Sequence, residues 1–441
     1  MRMFAKILFV LGLAYVGPAF AATLHVTPKA ANYDVPVHVV LDGLKPDALV
    51  TLKLRTTDAK GHKWQSQATY HASLHGELNL SSAAPLKGSY QGVQPMGLFW
   101  SMRPRDGKKF EYAMPAAGVS KKRIPAGTLY TLTAIVHGRV IGKDTLVRRA
   151  IAPNVTVRHI RRSGFYADLY YPERYASGKE KYPAVIALGG AEGGIGAADQ
   201  FGAWLSSHGF VVLSLAWYRF GNLPKNMVHV PVNVINKGLD YLSEQPFVDP
   251  SRIGMIGGSW GGILSLFVAS HAPRIHAVVS WMGGPVIGPG LERGVSPAGY
   301  KPVNKSPFLY HGKPVSFVSY SSLMKFMKTG NWKLIDPGFI PVWKINGRIL
   351  FVTGGDDKLE YSAIQATWAM DQLRAHHKAR GDRILFYRNA GHLIWPGYTP
   401  TTLDADFNKY IPVGGTPRGY AQADAAVGPA VLRFLKTALN L

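Results

Sequence analysis

Hydrophobic and polar residues alternate along much of the first third of the chain. Val50–Leu54 and Thr128–Val136 place apolar side chains at about every second position, a pattern typical of a β-strand with one buried face. Glycine and proline separate these short segments, and Asp58–Gly61 has the composition of a turn. Short strands at close spacing predict that residues 22–150 form an N-terminal, all-β sandwich domain.

After residue 150 the pattern changes to continuous apolar runs separated by segments with helical periodicity. Continuous runs are typical of parallel strands that are buried on both faces, with helices covering the sheet. Residues 151–441 are therefore predicted to form an α/β domain, a mostly parallel sheet with helices on both faces. The predicted strands are Ala184–Leu188, Val211–Leu215, Ile253–Ile256, Ala277–Trp281, Ile349–Thr353 and Ile384–Tyr387, and the predicted helices include Pro231–Gln245, Ile263–Ser270, Ser362–Lys378 and Ala421–Leu439.

One connection in this second domain is unusually long. Residues 285–339 lie between two predicted strands and are rich in Gly, Pro, Ser and Tyr. Connections of this length are usually functional or disordered. The aromatic content favours an insertion that helps to shape a substrate pocket, and a disordered linker is the alternative.

The N-terminus has the three parts of a secretory signal peptide. Arg2 and Lys6 precede the apolar run Ile7–Val16, which is followed by Ala19-Phe20-Ala21 as a cleavage site. The run is too short for a comfortable membrane span, and an uncleaved anchor is the alternative. Residues 1–21 therefore predict a periplasmic or secreted protein with no stable membrane span after cleavage.

Composition narrows the possible partners. The 441 residues contain no cysteine, which excludes disulfides, a thiolate nucleophile and cysteine-based zinc sites. Lys and Arg number 50 against 26 Asp and Glu, a formal net charge of +24 that attracts anionic molecules. Because no run of five or more basic residues occurs, we interpret the charge as a solvated basic surface and expect no nucleic-acid partner. Neither a metal nor a cofactor is expected.

The candidate nucleophile is Ser259 in the stretch Gly257-Gly258-Ser259-Trp260-Gly261. This stretch matches the nucleophile elbow G-x-S-x-G, with a predicted strand before it and an apolar helix after it. The serine needs a strained backbone, so strand and helix approach closely and only glycine fits two positions on either side. An ordinary Gly-rich turn is the alternative.

The nucleophile elbow is typical of α/β-hydrolases, in which the triad follows the chain order Ser, Asp/Glu, His. A candidate acid and a candidate base follow Ser259 in this order. The strand Ile349–Thr353 leads into Asp356 and Asp357, and Ile384–Tyr387 leads into His392. Carboxyl ends of parallel strands are where such groups belong, so His392 is the candidate base. From position alone, either aspartate could orient it.

The loop Gly189–Gly194 after the first parallel strand is the candidate oxyanion loop. Its glycines allow the main chain to approach a tetrahedral intermediate, and we expect the N–H groups of Trp260 and Ala191 to bind the oxyanion, with Gly190 as the alternative second donor. The loop lacks G-x-G-x-x-G and the chain has no P-loop lysine, so no nucleotide is expected here.

Three long stretches carry a resemblance to a known family. Tyr90–Met102, His208–Tyr218 and Gly391–Pro396 resemble motifs of the bile acid-CoA:amino acid N-acyltransferase and acyl-CoA thioesterase family, in the same order along the chain. The resemblance implies a β-sandwich followed by an α/β-hydrolase domain. The family's Gly-x-Asp-Asp pattern implies that Asp356, the first aspartate, is the acid.

The resemblance also implies a substrate class, namely acyl thioesters such as acyl-CoA. The family's amino-acid conjugating members have cysteine at the nucleophile position, whereas this chain has Ser259, which favours hydrolysis over N-acyl transfer. Acyl-CoA is a cytoplasmic metabolite, whereas the predicted signal peptide would send the protein out of the cytoplasm. The substrate implied by the resemblance therefore conflicts with the predicted location of the protein. We expect the physiological substrate to be an exported or environmental acyl compound.

These observations predict a secreted serine hydrolase that cleaves acyl thioesters or activated acyl esters through a Ser259–His392–Asp356 triad and an acyl-enzyme. Its expected partner is a small acyl substrate, and the positive net charge favours an anionic one. One alternative is an extracytoplasmic carboxylesterase, amidase or acyltransferase with the same triad. A second is a lipid- or carbohydrate-binding protein without catalysis.

Overall fold

The computed structural model describes residues 22–111, 114, 127–294, 299–378, 381–404 and 411–441. The predicted signal peptide, residues 1–21, lies outside these described residues. Within the described part of the chain, no helix is both long and apolar enough to cross a bilayer.

Two β-sheets that share one hydrophobic core make up the N-terminal part. Along one strand, Val50, Leu52 and Leu54 are buried while the residues between them are not, so the sequence alternation corresponds to the two faces of a sheet. The sheets have the strand orders β1-β3-β6 and β2-β10-β9-β4-β5-β7, with β8 also paired to β5. The strands are β1 (Thr23–Thr27), β2 (Ala30–Asn32), β3 (His38–Asp42), β4 (Leu49–Thr57), β5 (Lys63–His71), β6 (Leu78–Asn79), β7 (Lys87–Gly88), β8 (Arg103–Pro104), β9 (Thr128–Val136) and β10 (Arg139–Arg149), and the short helix α1 is Gly97–Trp100.

The rest of the chain is built on an eight-stranded sheet in the order β11-β12-β14-β13-β16-β17-β22-β23. The pairs β11–β12 and β12–β14 are antiparallel, and every later pair is parallel. This is the α/β-hydrolase architecture expected from the sequence. The strands are β11 (Val155–Arg162), β12 (Phe165–Pro172), β13 (Tyr182–Leu188), β14 (Val211–Ala216), β16 (Val248–Gly258), β17 (Ile275–Trp281), β22 (Arg348–Gly354) and β23 (Arg383–Tyr387).

Helices on both faces explain why the parallel strands are continuously apolar. In β13, Ile186 and Leu188 face the core under α3, α4 and α6, whereas Val185 and Ala187 face the core under α2 and α7. From Pro183 to Leu188 no position along the strand is left for a solvated side chain. The helices are α2 (Gly196–Ser207), α3 (Asn233–Ser243), α4 (Trp260–Ala269), α5 (Tyr320–Thr329), α6 (Ser362–Ala375) and α7 (Pro417–Leu439).

Residues 285–339 leave the sheet after β17 and return to it before β22. The two ends of the segment meet, because Ile287 N–H donates to Gly338 O (2.9 Å) and Ile340 N–H donates to Pro285 O (2.7 Å). The described part contains α5, two 3₁₀ turns and short strands that pair locally. Those strands are β18 (Gly290–Arg293), β19 (Tyr300–Val303), β20 (Phe308–Tyr310, paired with β15, Val230–Pro231) and β21 (Lys313–Pro314).

The N-terminal sheets contact the stretch that follows β23. Tyr398 N–H donates to Tyr33 O (2.8 Å), and Thr401 N–H donates to Trp100 O (3.0 Å). Asp34 accepts hydrogen bonds from Trp204 Nε1 (3.1 Å) and His208 Nε2 (2.5 Å) on the α2 side. The segment after the candidate base is therefore bound to the N-terminal half of the protein.

Candidate active site

Ser259 is the single residue that connects β16 to α4, and its backbone has φ 51° and ψ −120°. Its N–H donates to Trp281 O (2.7 Å), which holds the turn against β17. A Cβ on Gly257 would lie 2.1 Å from Gly261 O, and one on Gly261 would lie 2.5 Å from Gly189 O. Both flanking glycines are therefore required by close backbone packing. The local geometry has the form expected for a nucleophile elbow.

His392 lies on the loop after β23 and contacts a carboxylate on the loop after β22. Its Nδ1 is 3.1 Å from both Oδ1 and Oδ2 of Asp357, and the two side chains are 6% and 0% exposed. Backbone N–H groups of Leu359 (3.0 Å) and Glu360 (3.1 Å) donate to the same carboxylate. These donors orient Asp357 toward the imidazole.

Asp356 does not face the histidine, which corrects the expectation drawn from the sequence. Its carboxylate accepts a hydrogen bond from Gly415 N–H (2.7 Å), lies 3.6 Å from Lys358 Nζ and is 42% exposed. The two adjacent carboxylates have different partners. Asp356 therefore binds the loop before α7, and Asp357 is the carboxylate that pairs with His392.

The surroundings of Asp357 and His392 favour the charged form of both side chains. Burial disfavours the charged form of Asp357, but the His392 charge and hydrogen bonds from His392, Ser362 and Glu360 N–H hold its pKa below the ordinary value. Burial also disfavours protonation of His392, yet the charges of Asp357, Glu360 and Glu192 raise the pKa of the imidazole. The environment thus stabilises an imidazolium next to a carboxylate, the state that a general base passes through.

Two further carboxylates near His392 were missed by the sequence reasoning. Burial and the Asp357 charge raise the pKa of Glu360 to about 7, against the opposing effect of His392. Burial raises the pKa of Glu192, although hydrogen bonds from the backbone N–H groups of Glu192 itself and of Gly190 oppose the shift. Each had a signal in the sequence, because Glu360 follows Asp357 by three residues and Glu192 is the one acidic residue of the oxyanion loop.

The candidate oxyanion loop lies against the elbow. A Cβ on Gly190 would be 3.0 Å from Gly258 O and 3.1 Å from Ser259 Cβ. The Gly190 N–H donates to Glu192 Oε1 (2.8 Å), while the carbonyl of Ala191 accepts a hydrogen bond from the Tyr218 hydroxyl. The loop is therefore adjacent to Ser259, and the roles of the Ala191 and Trp260 N–H groups stay predictions.

An apolar wall begins beside the elbow. The Trp260 indole packs 6.2 Å from the Phe308 ring, and Phe308 lies 5.9 Å from Trp217. Phe308 belongs to residues 285–339, so this segment packs against the residue that follows Ser259. Among the described residues, no group of three or more His, Cys, Asp or Glu side chains is arranged to hold a metal ion.

Comparison with known proteins identifies the family. One family model, described as acyl-CoA thioester hydrolase/BAAT N-terminal region, matches residues 34–162, and a second, BAAT / acyl-CoA thioester hydrolase C terminal, matches residues 230–441. The peroxisomal succinyl-coenzyme A thioesterase of Mus musculus is 30% identical over 94% of this chain and 96% of its own. This chain belongs to the acyl-CoA thioester hydrolase/BAAT family. The bile acid-CoA:amino acid N-acyltransferase of Mus musculus is 31% identical over 94% of this chain and 97% of its own.

The family assignment confirms the resemblance seen in the sequence but contradicts the predicted location. Names of relatives that match nearly the whole chain place them in the peroxisome or, for acyl-coenzyme A thioesterase 2 of Mus musculus (30% identity over 91% of this chain and 86% of its own), in the mitochondrion. The prediction of a periplasmic or secreted enzyme is therefore wrong, since it rested on 21 residues alone. The expectation of an exported substrate is withdrawn with it.

Proposed function

We propose that this protein is a serine thioesterase that hydrolyses acyl-CoA-like thioesters. Ser259 is the nucleophile, His392 the base and Asp357 the acid that orients the base. The observation that carries the proposal is the buried contact of His392 Nδ1 with both oxygens of Asp357 at 3.1 Å, on loops that follow adjacent strands of the sheet that presents Ser259. Membership of a family with acyl-CoA thioesterases supports the substrate class.

In the proposed reaction, Ser259 Oγ attacks the thioester carbonyl carbon while His392 accepts the hydroxyl proton. The N–H groups of Trp260 and Ala191 bind the oxyanion of the tetrahedral intermediate. Collapse breaks the C–S bond, the thiolate takes the proton from His392, and an acyl ester remains on Ser259. A water molecule, deprotonated by His392, then attacks the ester carbonyl. The C–O bond to Ser259 breaks, Ser259 Oγ takes the proton back from His392, and the carboxylic acid is released.

The nucleophile supports hydrolysis rather than amide formation. Curated relatives include both thioesterases and N-acyltransferases at similar identity, so likeness over the whole chain does not separate the two reactions. An acyl ester on serine is attacked less readily by amines than an acyl thioester on cysteine. Water is therefore the expected acceptor for the Ser259 acyl-enzyme.

Replacement of the nucleophile tests the proposal directly. We expect Ser259→Ala to abolish release of free CoA from acyl-CoA and to abolish labelling by a fluorophosphonate probe, because no other group replaces the Oγ. Thermal unfolding of the variant should match that of the wild type, since the change removes one oxygen atom. Retention of full turnover in the variant would refute Ser259 as the nucleophile.

Product analysis tests the acceptor. With acyl-CoA and excess glycine or taurine, mass spectrometry of the wild-type reaction should show the free acid as the main product. Ser259→Cys should shift the product ratio toward the N-acyl amino acid, because the intermediate becomes a thioester. Predominant amide formation by the wild type would replace hydrolysis with acyl transfer.

A further inference from the structure

The part of residues 285–339 that carries α5 has an unusual charge pattern. From position 293 to position 335 the sequence contains no Asp or Glu, and it contains seven basic residues: Arg293, Lys301, Lys305, Lys313, Lys325, Lys328 and Lys333. All six lysines are exposed. None of the six forms a salt bridge with another residue that the structure describes. The segment therefore presents uncompensated positive charge to solvent.

Exposed apolar side chains contact α5, the helix that carries Lys325 and Lys328. Trp332 is 46% exposed and packs at 5.1 Å against Trp368, which lies one turn after Ile364 (46% exposed) on α6. Tyr361 and Leu359, just before α6, are 42% and 39% exposed. We call these five residues the apolar stripe. Contiguous exposed apolar patches mark interaction sites, whereas single exposed apolar residues are ordinary.

The apolar stripe leads from the basic segment to the candidate active site. Leu359 and Tyr361 flank Glu360, and N–H groups of Leu359 and Glu360 donate to the carboxylate of Asp357. At the other end, the ring of Trp332 lies 5.4 Å from that of Phe326 on α5. In the sequence, Phe326 lies between Lys325 and Lys328, and Lys333 follows Trp332 directly. A molecule or surface bound along the stripe would thus lie beside the loop that orients the base.

We propose that the apolar stripe, together with Lys325, Lys328 and Lys333, is a docking surface for an anionic lipid bilayer. Exposed Trp and Tyr side chains are suited to the membrane interface, and lysines beside them attract acidic lipid headgroups. Protein–protein interfaces are depleted in lysine, which favours a lipid surface over a protein partner. Docking there would hold the bilayer beside the loop that carries Asp357.

Vesicle sedimentation tests this proposal with the full chain. We expect the protein to bind vesicles of phosphatidylcholine mixed with phosphatidylglycerol, to bind pure phosphatidylcholine vesicles much more weakly, and to lose binding as salt rises. Reversal of the three lysines (Lys325→Glu, Lys328→Glu and Lys333→Glu) should weaken binding by at least about a hundredfold, from about fivefold for each lysine near an anionic surface. Trp332→Ser with Ile364→Ser should also abolish binding.

Matched variants on the N-terminal half provide the controls. Lys45→Glu, Lys87→Glu and Lys143→Glu change the net charge equally at exposed positions, and Leu74→Ser with Val140→Ser removes side chains that are 80% and 62% exposed. We expect both controls, and Ser259→Ala, to bind vesicles like the wild type. Ser259→Ala should bind vesicles whether or not Ser259 is the nucleophile. The vesicle assay therefore tests the docking surface separately from the proposed function.

Three results would overturn the docking surface. The first is equal binding to neutral and acidic vesicles. The second is an equal effect of the Lys325, Lys328 and Lys333 reversal and of its control. The third is a wild-type dimer, seen by light scattering, that Trp332→Ser with Ile364→Ser converts to a monomer, because the stripe would then be an interface between two copies of the chain.

Discussion

At the scale of single residues, the surroundings of His392 determine how the proposed base titrates. Burial opposes its protonation, but nearby carboxylates raise its pKa above the usual value of about 6.5. Because only the neutral imidazole accepts a proton, we expect kcat/KM for a short-chain acyl-CoA to rise with pH through a midpoint above about 6.5. Assays from pH 5 to 9, with Ser259→Ala as the background, check this. A midpoint at or below 6.5 would contradict it.

Glu360 contributes to that shift, so its removal should be visible in the same profile. Its charge raises the pKa of His392, and its own pKa is about 7. Glu360→Gln should therefore move the midpoint of kcat/KM to lower pH. Asp371→Asn, at an exposed position on α6, is the control and should leave the midpoint unchanged. An identical midpoint in the Glu360 variant would show that Glu360 does not act on the base.

The two adjacent aspartates should differ sharply when each is replaced. Asp357→Asn should lower kcat by roughly 10⁴, because an asparagine holds the imidazole in the wrong tautomer. Asp356→Asn is the matched control and should lower kcat far less, since Asp356 binds Gly415 N–H and is partly exposed. Steady-state kinetics of both variants decide the matter. The reverse ranking would return the role of acid to Asp356.

At the scale of elements, the loop after β13 must approach the elbow between β16 and α4 without side chains in the way. Gly190→Ala places a Cβ 3.0 Å from Gly258 O and 3.1 Å from Ser259 Cβ, so the two segments must separate. The shift needed is a few tenths of an ångström, so we expect kcat to fall, but by less than the roughly 10²-fold cost of a misplacement of about 1 Å. Gly196→Ala, at the start of α2, has nothing within 4 Å of its added Cβ and should leave kcat unchanged. Equal activities of the two variants would argue against a role for this loop.

At the scale of the whole molecule, Asp34 of the N-terminal part contacts α2 and the residue that follows it. Asp34 accepts hydrogen bonds from Trp204 and His208, and Asp34→Ala would leave both donors without this partner. We expect the free energy of unfolding to fall by about 1–3 kcal/mol, measured by urea denaturation. Asp42→Ala, in an exposed pair with His25 at 4.0 Å, should cost less than about 1 kcal/mol. Equal losses would mean that the Asp34 contacts do not couple the two halves.

The family assignment also changes the expected substrate at this scale. The sequence interpretation placed acyl-CoA in conflict with export, and the relatives named for the peroxisome and mitochondrion remove the basis for export. Acyl-CoA therefore stands as the proposed substrate without that objection. The charge of +24 is consistent with an anionic substrate or surface, because opposite charges attract over several ångströms at physiological salt.

The sequence by itself determined those features that depend on neighbours along the chain. Alternation in β4 and continuous apolar runs such as β13 follow from whether one or both faces of a strand are buried, so the two architectures could be predicted. The elbow could be predicted because the steric demand around Ser259 falls on Gly257 and Gly261, two residues away on either side.

Only the tertiary structure decided which aspartate faces His392. The direction of each side chain depends on contacts between residues far apart in sequence. Gly415, 59 positions along the chain, binds Asp356 and turns it outward, whereas His392, 35 positions along, meets Asp357. The effect of Glu192 and Glu360 on the pKa of His392 also depends on the tertiary structure, because loops after different strands meet only when the sheet has formed.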